Sequence, residues 1–177
     1  MARSLRLLAC TLALAACSPT THVITDYDRG TRFSAFHSFT VIARPHPGTG
    51  DPLVVQRTCD AIVAELTSRG LAHVLDPAEA DLAVDFTVGA DDRLDVRSAP
   101  APVAGPWFHG GSWGSQIEAE QYQEGTLAID VFDARSRRAV WHGSAGKRLS
   151  QSDLSNSHAV IREAVTAVLA GFPPKEG

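Results

Sequence analysis

The chain has 177 residues, with 16 Lys or Arg against 20 Asp or Glu and a formal net charge of −4. This acidic balance, with its basic residues scattered, argues against nucleic acid as a partner. The 3 cysteines supply no paired metal-ligand motif.

Arg3 and Arg6 stand before an apolar stretch, Leu7 to Ala16, broken only by Cys10 and Thr11. A membrane-spanning helix needs about 20 apolar residues, so this stretch is an export signal and not a span. It closes on Leu14-Ala15-Ala16-Cys17. That pattern resembles the lipobox of bacterial lipoproteins. The resemblance implies a thioether-linked diacylglycerol on Cys17, with cleavage removing residues 1–16. Leu7-Leu8-Ala9-Cys10 offers a second register but leaves almost no apolar region before it; an ordinary secreted protein cut after an alanine is the other alternative. Ser18, not Asp, follows Cys17. By the same resemblance this implies the outer membrane, facing the periplasm, rather than retention at the inner membrane. Loss of Arg3 and Arg6 takes the net charge to −6, so the membrane contact rests on the lipid and not on a basic patch. Lipid on Cys17 leaves Cys59 as a lone thiol with no disulfide partner.

Residues 17–21 form the lipidated N-terminus and a short polar tether. A single domain then fills 22–174. His22 to Tyr27 reads as a strand and Asp28-Arg29-Gly30-Thr31 as a turn. Phe33 and Phe36 precede a second strand, Ser38 to Ala43. Asp51 is an N-cap with Pro52 at the first helical position, and the helix runs to about Arg69 with Gly70 beyond its end. Val55, Cys59, Ile62, Val63 and Leu66 form its apolar stripe. Leu82, Val84, Phe86 and Val88 alternate with Ala83, Asp85 and Thr87, giving a strand with one wet face. Arg93 to Arg97 reads as its continuation beyond a break at Gly89 to Asp92. Ser98 to Ser115, dense in Pro, Gly and Trp, reads as an irregular loop. Gly125 to Asp133 and Ala139 to Ala145 read as a hairpin. A last helix is expected from about Asp153 to Ala170. The fold class is α+β: a two-layer sandwich with a mostly antiparallel sheet of about five to six strands and two amphipathic helices packed on one face.

Several of these pieces resemble one family in order. They are Asp26-Tyr27-Asp28 with Phe33-Ser34-Ala35-Phe36, then Ala80-Asp81-Leu82-Ala83-Val84, then Glu124-Gly125-Thr126-Leu127-Ala128-Ile129-Asp130, then Val140-Trp141-His142-Gly143-Ser144-Ala145. A helix closing on Phe172-Pro173-Pro174 follows. Together they resemble the DUF4136 lipoproteins over about 22–174. The resemblance implies an envelope lipoprotein and supplies no catalytic residue.

Gly110-Gly111-Ser112-Trp113-Gly114 matches G-x-S-x-G, but that elbow needs a strand before the serine and a helix after it. Prolines precede Ser112 and no apolar helix follows, so a hydrolase using Ser112 is the least supported option. His22, His37, His46, His73, His109, His142 and His158 form no tight pair, and no metal or cofactor is expected. Asp91, Asp92 and Asp95 lack the regular oxygen offsets of a Ca²⁺ loop and read as a solvated strand end. Cys59, on an apolar stripe, reads as a small buried hydrophobe. Trp141 reads as a packing residue. The candidate interaction loop is Trp107, Phe108, His109 and Trp113, since exposed aromatics among glycines often mark recognition; the alternative is that the tryptophans fold back on the sheet edge.

The resulting expectation is a non-enzymatic envelope lipoprotein that presents its domain to an envelope protein or cell-wall partner. The alternative is a small-molecule or lipid-binding accessory of envelope transport, with its pocket between sheet and helices.

Overall fold

A computed structural model describes residues 21–42, 51–102 and 113–174. Six strands form one open sheet. They are β1 (His22–Tyr27), β2 (Ser38–Ile42), β3 (Ala72–His73), β4 (Leu82–Pro102), β5 (Trp113–Asp133) and β6 (Ala139–Leu149), in the order β1-β6-β5-β4-β2-β3. The β1/β6, β6/β5 and β5/β4 pairs are antiparallel; β2 runs parallel to both β3 and β4. Three helices complete the fold: α1 (Pro52–Ser68), α2 (Gln151–Ser155) and α3 (Ser157–Leu169). This is the expected α+β sandwich, with a mixed sheet and one more helix.

The core follows the two periodicities. On β4 the even positions Leu82, Val84, Phe86 and Val88 are buried, while Ala83, Asp85 and Thr87 stay partly or fully exposed. Opposite them Leu127, Ile129 and Val131 are buried on β5. Ile62 and Leu66 of α1 and Ile161, Val165, Val168 and Leu169 of α3 cover this face. The α1 limits are chemical: the Asp51 side chain accepts the Leu53 N–H at 2.8 Å, and Gly70 beyond the helix takes φ +92°, where a Cβ is disfavoured. Cys59 is half-buried against the core, and burial, followed by the charge of Asp60, pushes its thiol pKa up. It is therefore a poor nucleophile.

One corner is aromatic. Trp141 meets Phe172 edge-on at 5.5 Å, and Phe172 meets Phe33 at 5.8 Å. Phe33 in turn contacts Phe36 and Tyr27, each at 6.3 Å. Trp141 lies over Gly143: a Cβ there would sit 2.2 Å from the Trp141 ring. Nearby, Asp81 ties the start of β2 to the start of β4. Its carboxylate accepts the His37 N–H at 2.9 Å and the Ser38 N–H at 3.1 Å. The first of these bonds is the main cause holding its pKa below the ordinary carboxylate value.

Four expectations are corrected. β4 runs unbroken through Gly89 to Asp92 and on to Pro102, and β5 begins at Trp113, paired with Pro102. Residues 98–102 and 113–115 are thus strand, and residues 103–112 lie outside the described residues. Asp91, Asp92 and Asp95 accordingly lie within a strand rather than at its end. The last helix is two helices. Ser150 and Asp153 form a reciprocal capping box that starts α2, and Asn156, at φ −127° and ψ 51°, breaks the chain before α3.

Candidate interaction surface

Pairing of β5 with β6 ends at Gln123↔Leu149, but pairing of β5 with β4 continues from Arg93↔Tyr122 to Pro102↔Trp113. The two strands therefore leave the sheet as a two-stranded arm. At about 3.4 Å per residue its ten paired positions extend about 30 Å.

Alternation gives the arm two unlike faces. On the even, core-facing side of β4, Asp92 accepts from Gln123 at 3.1 Å, and beyond it come Leu94, opposite Gln121, and Val96. Ile117 and Ala119 of β5 share that side, opposite Ser98 and Val96. Leu94 is 65% exposed, Val96 58% and Ile117 72%. The other side is charged. Arg93 pairs with Glu124 at 3.1 Å, Arg97 with Asp95 at 2.7 Å, and Arg148 of β6 reaches Glu120. The Arg148 guanidinium also lies 4.4 Å from the centre of the Tyr122 ring. Exposed ion pairs such as these contribute about 0–1 kcal/mol each, so they orient the arm more than they hold it. Two-stranded ribbons with an uncovered apolar face are marginal in water. The arm is an exposed apolar patch of the kind that marks contact surfaces.

At the root of the arm, between the sheet end and the helices, lies a cavity of about 410 Å³ that opens to solvent. Val54, Val88, Leu127, Leu149, Leu154 and Val160 give it apolar walls. Its floor is shaped by small residues, Gly89, Ala90, Gly125, Ala145 and Gly146. Asp51, Lys147, Asp153 and Glu163 supply the polar rim, and Thr21, the first described residue, also lines it. The Lys147 ammonium is spoken for: it lies 3.1 Å from Asp153 and 3.7 Å from Glu163. The Asp153 carboxyl is held down to about 2, first by the Ser150 backbone N–H and then by its hydroxyl, with Lys147 adding to this. The volume falls within the range of ligand pockets, about 300–1,000 Å³.

The residues singled out in the sequence fall as follows. Cys17, Trp107, Phe108, His109 and Ser112 lie outside the described residues. Trp113 opens β5 at the tip of the arm. Trp141 is core, 2% exposed. Among the histidines, His73 packs its ring 5.2 Å from Phe39, and His142 Nδ1 meets Asp130 Oδ1 at 2.7 Å on the outer sheet face. No group of three or more His, Cys, Asp or Glu able to hold a metal occurs among the described residues. No helix among them is long and apolar enough to cross a membrane. Sequence reasoning offered a pocket between sheet and helices as its alternative without naming the lining residues, and it missed the paired stem of the arm. The signal for the cavity was there in the small residues at one end of three consecutive strands.

No curated protein matches the chain. Among solved structures, a PDZ domain protein from Parabacteroides distasonis aligns at 17% identity and TM-score 0.57, over 90% of this chain and 38% of that one. The chain thus spans well under half the length of that protein. A DUF4136 family protein from Bacteroides thetaiotaomicron aligns at 15% identity and TM-score 0.54, over 86% and 96% of the two chains. The PelC dodecamer from Paraburkholderia phytofirmans gives 13% identity and TM-score 0.52, over 85% and 96%. At these identities the likeness is one of fold. The family model for DUF4136, a domain of unknown function, matches residues 23–174, nearly all of the described domain, and the chain belongs to that family.

Proposed function

We propose that this protein is a non-enzymatic, lipid-anchored envelope protein, held at the periplasmic side of the outer membrane through Cys17, whose domain is a binding module for an envelope protein or cell-wall partner. The observation that carries the binding role is the arm. Its apolar face, bearing Leu94, Val96 and Ile117, is a continuation of the core face that nothing in the described chain covers. Leu14-Ala15-Ala16-Cys17 supports the anchor, and the Ser18 that follows supports the outer membrane. Trp113 opens β5 at the arm's tip; Trp107, Phe108 and His109, the other candidate interaction residues, lie outside the described residues.

The test has two parts. Cys17→Ala is expected to move the protein from the membrane to the soluble fraction; a variant that stays membrane-bound refutes the anchor. Crosslinking in intact envelopes followed by pull-down is expected to recover a partner with the wild-type chain and to lose it with Leu94→Ser/Val96→Ser/Ile117→Ser. Recovery of the bare monomer from wild type counts against the binding role.

The cavity favours a second reading, a domain that holds a small or lipidic ligand. Its walls are apolar and it is open, whereas a core filled by side chains would leave no room for one.

A further inference from the structure

We infer that the cavity at the root of the arm receives an acyl chain carried on Cys17 of the same molecule. This rests on the reading of Cys17 as the lipidated residue and deepens the second reading of the cavity by naming its occupant.

Three observations point there. The first is where the chain enters. Thr21 lines the cavity and His22 pairs with Gly146, another lining residue. Cys17 precedes Thr21 by four residues, which spans at most about 14 Å between their Cα atoms at 3.3–3.6 Å per residue. That tether keeps the acyl chains within reach of the opening.

The second is the wall chemistry. Leu149, Leu154 and Val160 face a volume of about 410 Å³ whose polar groups are gathered at the rim. An unbranched apolar chain satisfies such walls without needing a hydrogen-bond partner inside.

The third is the rim charge. Asp51, Asp153 and Glu163 stand against Lys147 alone, and Lys147 is already engaged by two of those carboxylates. Arg57, outside the lining, donates to the lining Ser157 at 2.8 Å. A free fatty acid or an anionic phospholipid would bring a negative group to a lining that is net negative and, among its described residues, has no uncommitted cation. The thioether and ester links of a lipidated cysteine carry no charge, so this occupant meets no repulsion. The lining charge thus disfavours anionic lipids delivered from outside, and the entry of the chain at Thr21 favours the protein's own lipid over uncharged ones.

The consequence is a two-position anchor. With an acyl chain in the cavity the protein holds fewer chains in the bilayer, and anchoring that relies on two or more chains weakens.

The experiment uses the full-length protein made in cells fed a fatty acid bearing a diazirine, purified in mild detergent, irradiated and mapped by mass spectrometry. Expected are adducts joining the N-terminal lipopeptide to peptides within 145–164. Leu154→Asp, at a rim position 45% exposed, is expected to lose most of them with unchanged circular dichroism. Val160→Trp, which fills the cavity, is expected to do the same. A lipid mass on Cys17 with adducts only to detergent, co-purified lipid or the arm overturns the inference and leaves the anchor standing. The absence of any lipid mass on Cys17 overturns the inference and the anchor together. Adducts that persist in both variants also overturn it.

Discussion

Gly143→Ala adds one methyl group and should cost more stability than most deletions on this domain's surface. Gly143 does not use a positive φ, so its backbone conformation suits alanine and only space decides the outcome. The new Cβ would stand 2.2 Å from Cη2 and 2.9 Å from Cζ2 of Trp141, and 2.8 Å from Cγ1 of Val168. None of these atoms has an easy escape. Val168 is fully buried on α3, and Trp141 is backed by Phe172 at 5.5 Å, with Phe33 behind it. Overpacking of this kind costs about 1–3 kcal/mol. At about 2–4 °C per kcal/mol for a domain of this size, Tm should fall by about 2–12 °C. Thermal unfolding followed by near-ultraviolet circular dichroism reads both the midpoint and the tryptophan environment. Gly125→Ala is the control. The three atoms nearest its Cβ would all belong to the Leu149 side chain, at 3.1–3.3 Å, and a flexible leucine can move. Trp141→Phe should partly rescue Gly143→Ala, with a coupling energy of about 0.5–3 kcal/mol. A Gly143→Ala protein with unchanged or raised Tm, or one that Trp141→Phe merely worsens additively, refutes the packing argument.

Phe172→Ala removes the ring that joins Trp141 to Phe33 and should cost about 3–5 kcal/mol, measured by urea unfolding. Asp153 has its pKa lowered from 3.8 to about 2, so its contribution is fully present above its unfolded value and is lost as pH falls toward 2. Ser150→Ala should cost about 1 kcal/mol at neutral pH and flatten the loss of stability across that acid window. Asp81 is shifted in the same direction, and Asp81→Asn should likewise reduce the acid dependence of unfolding. The Cys59 thiol, pushed up by burial, should react with a disulfide reagent more slowly than an unfolded control at pH 8. Leu94→Ser/Val96→Ser/Ile117→Ser should leave stability within about 0.5 kcal/mol per site, because exposed side chains have little to lose.

The parts of the fold that were legible in the sequence are those fixed by local chemistry. Asp51 and Pro52 mark the start of α1 and Gly70 its end, because a cap, a missing N–H and a left-handed residue each act within one turn. The alternation from Leu82 to Val88 marks a half-buried strand for the same reason. What escaped depends on distant partners. β3 is two residues long and exists because Ala72 N–H reaches the His37 carbonyl at 2.8 Å and Val74 N–H that of Phe39 at 2.9 Å. Pro100 and Pro102 argued against a strand, yet they lie where β4 pairs only with β5 and a missing N–H is tolerated. The helix break at Asn156 was visible in principle: Ser150-x-x-Asp153 is a start signal that the apolar stripe from Ile161 onward concealed. Of the candidate surface, Trp113 was singled out in the sequence but the stem was not, because exposed Leu94 and Val96 look like core residues until the covering helices are placed.

The fragments that carry the family resemblance separate sharply by where they fall. Phe33, Phe36, Trp141, Gly143 and Phe172 build the aromatic corner. Asp28 holds the first turn by accepting the Gly30 N–H at 2.9 Å, and Asp81 clamps two strands. Gly125, Leu127 and Ala145 form part of the cavity wall. No fragment reaches the arm beyond Glu124. The shared pattern is therefore largely a folding device: close aromatic contacts over a glycine, and carboxylates that satisfy backbone N–H groups. The cavity is built into that device, since the same small residues that let β5 and β6 pass under the helices leave the space empty. On the reading proposed above, a lipid sits in the cavity, next to the point where the N-terminus enters, and a partner meets Leu94, Val96 and Ile117, where the side chains can change without disturbing the core.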